Sequence, residues 1–402
     1  MTAIRVGIDV SSLADAALTG IPLSVESLLR EYFASPGEER WVLAGSPAGS
    51  DLTGWVRARG FDLPGTAEVV PMTDLRLGSR FPGFGQGRFR SVVDGRLLLP
   101  LGNLLSSGRV PRVDVFHHTA ILRISSGRAR RNIVTIYDLT TRFFPEAHHR
   151  VNIREWERVF RFARDRADMV VTDSESARED IVRYLGVAPS RVRAIPLGVR
   201  TFSADPSLSA DPSRQDRYGL EGRRFVLCVG SLEPRKNVPR LIEAFSSVVR
   251  RAEFSDVCLV LTGARLHGAS AIEEAIRRAG IGDRVVITGY VADRDLAWLM
   301  QNCTSFVYPS LYEGFGLPVV EAMAMGAPVA TSDVSALPEV AGDAALLFDP
   351  NSSAGMAEAM VRLLTEPELA WELRRRGRER AALFTWKRCA DEHRRLYREV
   401  AA

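Results

Sequence analysis

Short apolar runs alternate with stretches of helical spacing along almost the whole chain. In the first half, apolar strands are predicted at residues 4–10, 41–44, 113–117, 133–137 and 169–172, with helical periodicity at 22–33, 150–167 and 175–185. The second half restarts the pattern more regularly, with strands at 225–229, 257–262, 285–288, 305–308, 329–331 and 345–348 and helices in the gaps. Strands that are apolar on both faces and separated by helices predict parallel sheets covered on both sides. Three helical stretches close the chain, the last from about 386 to 400. Residues 201–218 are rich in Ser, Asp and Pro without an apolar period, and so form the best linker candidate. The expected organisation is a first Rossmann-like domain over 1–205, a second over 206–385, and a terminal helix over 386–402. Two such domains leave a cleft at the carboxyl ends of their sheets, where open α/β folds bind ligands.

The chain has 402 residues, enough for two domains, and its 46% apolar and 25% charged content is ordinary for a globular protein. Its net charge of +4 is small but unevenly spread. Residues 72–131 hold eleven arginines, no lysine and only Asp74, Asp94 and Asp114 as acids. That excess suits phosphates or an anionic membrane surface, and equally a solvated basic face. The four cysteines, Cys228, Cys258, Cys303 and Cys389, form no CxxC pair and read as buried hydrophobes of a reducing compartment. No signal peptide and no run of 18 apolar residues is seen, so the expected location is cytoplasmic, at most peripheral at the inner membrane face.

The chemistry concentrates in the second half. In YPSLYEGFGLPVVEAMAMGAPV (308–329) a strand ends at Pro309, Gly314 and Gly316 make a tight loop, Pro318 suits a first helical turn, and Gly326 suits its end. Backbone N–H groups at such a glycine-rich helix start favour an anion. Glu321 is expected in the first turn of that helix, with Glu313 eight positions before it. Taken as an isolated pair, these glutamates read as a cap and a solvated side chain. VGSLEPRKN (229–237) follows the first strand of the same domain, with Gly230 at the turn and Arg235 and Lys236 where the next helix starts. Cations there oppose the helix dipole, and a bound diphosphate would account for them. On one sheet edge, the two segments make a phosphate clamp.

These segments, with TGYVADRDL (288–296) and LPEVAGDAALLFDP (337–350), resemble the retaining glycosyltransferase family 4, a group 1 glycosyltransferase family with the GT-B fold. They span nearly all of the second domain. The first domain is similar more loosely, through TGI (19–21), TIYDLTTRFFPE (135–146), VTDSESARED (171–180) and IPLGV (195–199). FTW (384–386) and the last helix are also similar to the family, where that helix returns to the first domain. The resemblance implies two facing doubly wound Rossmann-like domains with an interdomain cleft. It implies that Glu313 contacts the donor sugar, Glu321 the ribose hydroxyls, and Gly314, Phe315, Gly316 and Leu317 the sugar and diphosphate. Arg235 and Lys236 would hold the leaving diphosphate beside Gly230 and Ser231, and Tyr290 and Val291 would line the base. From the first domain, Gly20 and Ile21 would approach the diphosphate, and Tyr137 and Asp138 the sugar. Tyr137 stands where the family often has His. A 6-deoxy donor sugar is one explanation, and packing at the strand end is the other. Ser231 replaces a frequent phosphate-binding Arg, a role Arg235 would take over.

The implied reaction moves a hexosyl group from a nucleotide-diphosphate sugar to a saccharide or lipid-linked saccharide, with GDP-mannose the first donor expected and polysaccharide or glycoconjugate biosynthesis the setting. A UDP- or dTDP-sugar donor with a small-molecule acceptor is the alternative. Retention by front-face attack is implied, with Glu313 positioning the sugar. No metal, no cofactor beyond the nucleotide sugar and no nucleic-acid partner is expected. Contact with anionic lipid is expected through the arginines of 72–131 and the apolar run 97–105. A glycoside hydrolase using Glu313 and Glu321, a GT-B epimerase and a non-catalytic partner subunit are the rival readings.

Overall fold

The structure is a computed structural model that describes residues 3–14, 20–35, 37–45, 54, 56, 60–61, 65, 67–71, 111–122, 129–200, 202, 212–265 and 268–402. The chain groups into two compact units. One comprises Met1–Asp173, Arg178–Gly198 and Trp386–Ala402; the other comprises Ser174–Ala177 and Val199–Thr385. The division therefore falls at Val199, ahead of the boundary expected at 206, because the chain joins the second unit as soon as the IPLGV turn ends.

In the first unit the described residues form seven parallel strands in the order β3-β2-β1-β4-β5-β6-β7. They are β1 (Arg5–Asp9), β2 (Arg40–Gly45), β3 (Ala67–Pro71), β4 (Val113–His118), β5 (Ala129–Thr135), β6 (Met169–Thr172) and β7 (Val192–Ala194). Its helices are α1 (Ile21–Ala34), α2 (Thr140–Phe143), α3 (Arg150–Asp165) and α4 (Glu175–Asp180), with Ser174 and the first three residues of α4 grouped in the second unit. The helix expected over 175–185 is α-helical only to Asp180, then widens to a π turn, Ile181–Leu185, which Gly186 ends at φ 70°. Strand β5 starts earlier than expected and ends before Tyr137. Its ladder with β4 runs on through Arg131, whereas pairing with β6 begins only at Ile133. β3 and β7 escape the sequence reading; both are short edge strands, each interrupted by a charged residue, Glu68 in β3 and Arg193 in β7.

The second unit has six parallel strands in the order β10-β9-β8-β11-β12-β13. They are β8 (Arg224–Val229), β9 (Val257–Thr262), β10 (Val285–Gly289), β11 (Ser305–Tyr308), β12 (Val329–Ser332) and β13 (Ala345–Phe348). Its helices are α5 (Pro212–Tyr218), α6 (Val238–Val249), α7 (Ala269–Ala279), α8 (Asp293–Asn302), α9 (Leu317–Ala324), α10 (Leu337–Ala341), α11 (Ser353–Thr365) and α12 (Pro367–Ala381). Strand order reverses between β8 and β11, so their carboxyl ends open a crevice not bridged by a connecting helix.

Burial explains why these residues form these sheets. Val226, Leu259, Leu261 and Val307 project from the second sheet onto Leu241 and Phe245 of α6 and Met356 and Met360 of α11, all almost fully buried. Each such large side chain contributes about 1.5–3 kcal/mol. The last helix, α13 (Trp386–Ala401), belongs to the first unit. Tyr397 reaches His117 Nδ1 at 2.8 Å and the Tyr32 hydroxyl at 3.1 Å, and Tyr32 stacks on Trp41 at 4.5 Å. Arg394 donates to the fully buried Glu39 at 2.9 Å. All four cysteines are free and buried. Among the described residues no helix is long and apolar enough to cross a membrane.

Candidate functional site

The loop after β8 is shaped by its first residue. Gly230 has φ 150°, a conformation that favours glycine, and the Lys236 side chain folds back into van der Waals contact with it. The chain then closes a 3₁₀ turn, Pro234–Lys236, instead of starting the helix directly. Asn237, at φ 57°, separates that turn from α6 and anchors it by donating from Nδ2 to the Pro350 carbonyl at 2.7 Å. Ser231 is half-buried and its carbonyl accepts from the Glu233 N–H at 2.9 Å.

The loop after β11 is tied to this turn by backbone and side chain. Leu311 N–H donates to the Arg235 carbonyl at 2.9 Å, and Arg235 Nη1 donates to the Tyr312 carbonyl at 2.6 Å. Glu313 is thereby brought over the end of β11. Its Oε1 accepts from Lys236 Nζ at 2.5 Å, Ser310 Oγ at 2.6 Å and the Tyr308 hydroxyl at 2.9 Å, with Arg235 Nη1 at 2.7 Å. Lys236 also donates to the Tyr308 hydroxyl at 2.5 Å. An ammonium has three N–H donors. Only two of Lys236's are engaged among the described residues.

Burial pushes the Glu313 carboxyl up, but Arg235 and Lys236 outweigh it and bring it down to about 2. Burial lowers Lys236, with the Glu313 charge opposing that shift. The carboxylate is thus ionised at neutral pH and the lysine is its counter-ion. Arg235 is a less open cation than the motif suggests. Its fork is spent on Glu233 Oε1 at 2.7 Å, Glu313 and the Tyr312 carbonyl, so it clamps the two loops together. With Glu233 and Glu313 against Arg235 and Lys236, formal charge in the cluster balances, and further positive potential must come from the backbone.

The glycine loop provides it. Gly314, Phe315, Gly316 and Leu317 have N–H groups that donate no hydrogen bond among the described residues, and they sit where α9 starts. Ser174, fully buried, donates to the Gly314 carbonyl at 2.6 Å. The Phe315 ring is buried and packs edge-on against Phe384 at 5.5 Å. Gly316 has φ 102°, and a Cβ there would come within 2.7 Å of Leu337 Cδ2. Pro318 lies in the first helical turn as expected. Glu321 does not: it sits in the second turn, and its Oε1 accepts from Arg200 Nε at 3.0 Å instead of capping its own helix. At the end of β10, Tyr290 is 70% exposed while Val291 is buried.

The remaining candidates lie in the first unit. Gly20, at φ 59°, precedes α1 and a Cβ there would meet nothing; Ile21 is the first residue of α1. The Tyr137 hydroxyl donates to the Thr119 carbonyl at 3.0 Å, which is packing at the strand end. Asp138 Oδ1 accepts from the Thr140 N–H at 2.8 Å and its hydroxyl at 2.5 Å, so it caps α2. Thr19, most of the arginine-rich stretch 72–131 and the run 97–105 lie outside the described residues. Tyr308, Ser310, Ser174, Ser335, whose Oγ accepts from the Glu313 N–H at 2.9 Å, and Arg200 were missed in the sequence. Tyr308 and Ser310 were visible within the motif, but nothing local marks Ser174, Ser335 or Arg200.

Two family models match, "Glycosyl transferases group 1" over residues 211–380 and "Glycosyltransferase Family 4" over residues 51–201. The chain is also 30% identical over 265 residues to the O-antigen chain mannosyltransferase B of Escherichia coli, covering 66% of this chain and 69% of that one. The chain belongs to glycosyltransferase family 4. This family-4 chain is 33% identical over 232 residues to the serotype-specific mannosyltransferase WbdA of Escherichia coli, 56% of its own length but only 28% of that protein's. Its fold is shared with sucrose-phosphate synthase from Thermosynechococcus elongatus, at a TM-score of 0.72, 21% identity and 99% coverage of both chains. The two parallel-sheet units are those of a GT-B glycosyltransferase.

Proposed function

We propose that this glycosyltransferase moves a hexosyl group, with retention and without a metal, from a nucleoside-diphosphate sugar to a saccharide or lipid-linked saccharide of a polysaccharide pathway. The observation that carries the reading is Lys236, held by Glu313 and Tyr308 with one N–H to spare, in the same sheet-edge crevice as the unpaired N–H groups of the glycine loop. Lys236 and the start of α9 then receive the charge that develops on the departing diphosphate. A cation about 4 Å from that charge, at an effective dielectric near 20, contributes roughly 4 kcal/mol, or about a thousandfold in rate. Arg235 acts by holding the two loops in register.

Glu313 is suited to orient the sugar and not to attack it. Three hydrogen bonds and the Arg235 ion pair hold its Oε1, while Oε2 accepts no hydrogen bond among the described residues and is left for the sugar's hydroxyl groups. The reaction read here is front-face attack, with the departing phosphate oxygen taking the acceptor's proton. Mannose as the transferred sugar, and GDP-mannose as donor, rest on the mannosyltransferases to which the chain is similar. The test is a thermal-shift panel of GDP, UDP, dTDP and ADP, followed by turnover of the matching sugar nucleotide with and without EDTA. A ligand at a hundred times its Kd adds about 2.7 kcal/mol. No shift with any nucleotide, or turnover abolished by EDTA, overturns the proposal.

A further inference from the structure

Arg200 opens the second unit, one residue after Val199. Its guanidinium bridges two carboxylates: Nε donates to Glu321 Oε1 at 3.0 Å and Nη1 to Asp293 Oδ1 at 2.7 Å. It lies 4.5 Å over the Phe202 ring, which fixes its plane from the other side. Glu321 is nearly buried, with 7% of its side chain exposed, whereas Asp293 is 61% exposed. The pair is therefore unequal, and Glu321 is the partner that depends on the arginine. Glu321 Oε2 accepts no hydrogen bond among the described residues.

We propose that Arg200 is a positioning residue of the nucleoside subsite: it keeps Glu321 an ionised acceptor with one oxygen open to a ribose diol, so that the site selects ribonucleoside over 2′-deoxyribonucleoside diphosphates. This rests on the assignment of Glu321 to the ribose. An ionised carboxylate only accepts, while a protonated one spends an oxygen as a donor and loses its match to two hydroxyl groups. Burial pushes the Glu321 carboxyl up, and Arg200 pulls it part of the way back against a further push from Asp293, so that it stays raised. Among the described residues Arg200 is the cation that hydrogen-bonds Glu321. On α12, Arg374 is spent on the Gly326 and Cys303 carbonyls, and Arg378 lies against Gly326 past the other end of α9. On α10, Glu339 accepts from the Glu175 and Ser176 N–H groups. Arg214 and Arg217 pair with Asp295.

The experiment measures Kd by calorimetry for GDP against 2′-deoxy-GDP, and UDP against 2′-deoxy-UDP, at pH 6, 7.5 and 9. Wild type, Arg200→Ala, Arg200→Lys and Glu321→Gln are compared. The wild type is expected to prefer the ribonucleotide by about tenfold to a hundredfold, the value of one charge-assisted hydrogen bond, with little pH dependence. Arg200→Ala loses that preference and regains part of it as the pH rises. Arg200→Lys keeps most of it throughout, and Glu321→Gln lacks it at every pH. A wild-type ratio in Arg200→Ala at all three pH values refutes the proposal, as does a loss that pH does not reverse and lysine does not rescue. A wild type that binds these nucleotides without preferring ribose refutes the Glu321 assignment. No binding by the wild type at all removes the donor-site reading and this inference with it.

Discussion

Glu313→Gln separates charge from shape at the centre of the site. Glutamine keeps the volume and a carbonyl acceptor, but leaves Lys236 and Arg235 without the anion they face. The folded carboxyl lies at about 2, against an ordinary value of 4.5. At about 1.4 kcal/mol for each pH unit between the two, the ionised carboxylate contributes about 3 kcal/mol of stability at neutral pH. Glu313 is 9% exposed, so solvent screening reduces this little. Because the folded value is depressed, the contribution is complete above 4.5 and vanishes as pH falls through about 2. The assay is urea denaturation of wild type and variant at pH 7.5, 6, 5, 4 and 3, following the transition of the second unit. The expected gap is about 3 kcal/mol at pH 7.5 and 6, narrowing steadily below pH 5. For a unit of this size that gap is roughly 6–12 °C in Tm. A gap under 1 kcal/mol at pH 7.5, or one unchanged between pH 6 and pH 3, refutes the view that Glu313 is held ionised by its two basic neighbours.

The other predictions concern rate, backbone and the terminal helix. Lys236→Ala should lower turnover by about a thousandfold with KM within a few-fold, measured as nucleoside diphosphate released from the donor that the thermal-shift panel selects; a fall of less than tenfold counts against leaving-group stabilisation. Gly316→Ala should destabilise the second unit by about 2 kcal/mol, through its φ of 102° and the clash with Leu337, and an unchanged denaturation midpoint would contradict this. Arg394→Ala should cost the first unit about 3 kcal/mol by leaving the wholly buried Glu39 with Arg398 alone. Limited proteolysis should then release a fragment cut near Trp386, and an intact chain under those conditions would show that the pair contributes little.

The backbone geometry of the glycine loop was legible because it is local. Gly316 and Pro318 fix the backbone within a few residues of one another, the first by its positive φ and the second by its missing N–H. The strands of the second sheet were legible for the same kind of reason: Val257–Thr262 and Ser305–Tyr308 are apolar on both faces and match their observed bounds. Periodicity failed at the edges, where β3 and β7 bury less, and in β5, whose start is dictated by pairing with β4 through Ala129 and Arg131.

By itself, then, the sequence determined the alternation of elements, the turn geometry at Gly230 and Gly316, and which charged residues stand at the carboxyl ends of β8 and β11. Tertiary structure alone decided what those charges do. Lys236 and Glu313 are far apart in the chain and meet because strand order reverses between β8 and β11. Arg235 became a clamp and not an open cation because Glu233, Glu313 and the Tyr312 carbonyl surround it. Glu321 was turned from a helix cap into a buried acceptor by Arg200, which no local pattern ties to it. Local conformation follows from nearest neighbours along the chain, whereas charge state and hydrogen-bond partner depend on burial and on groups that only folding brings within reach.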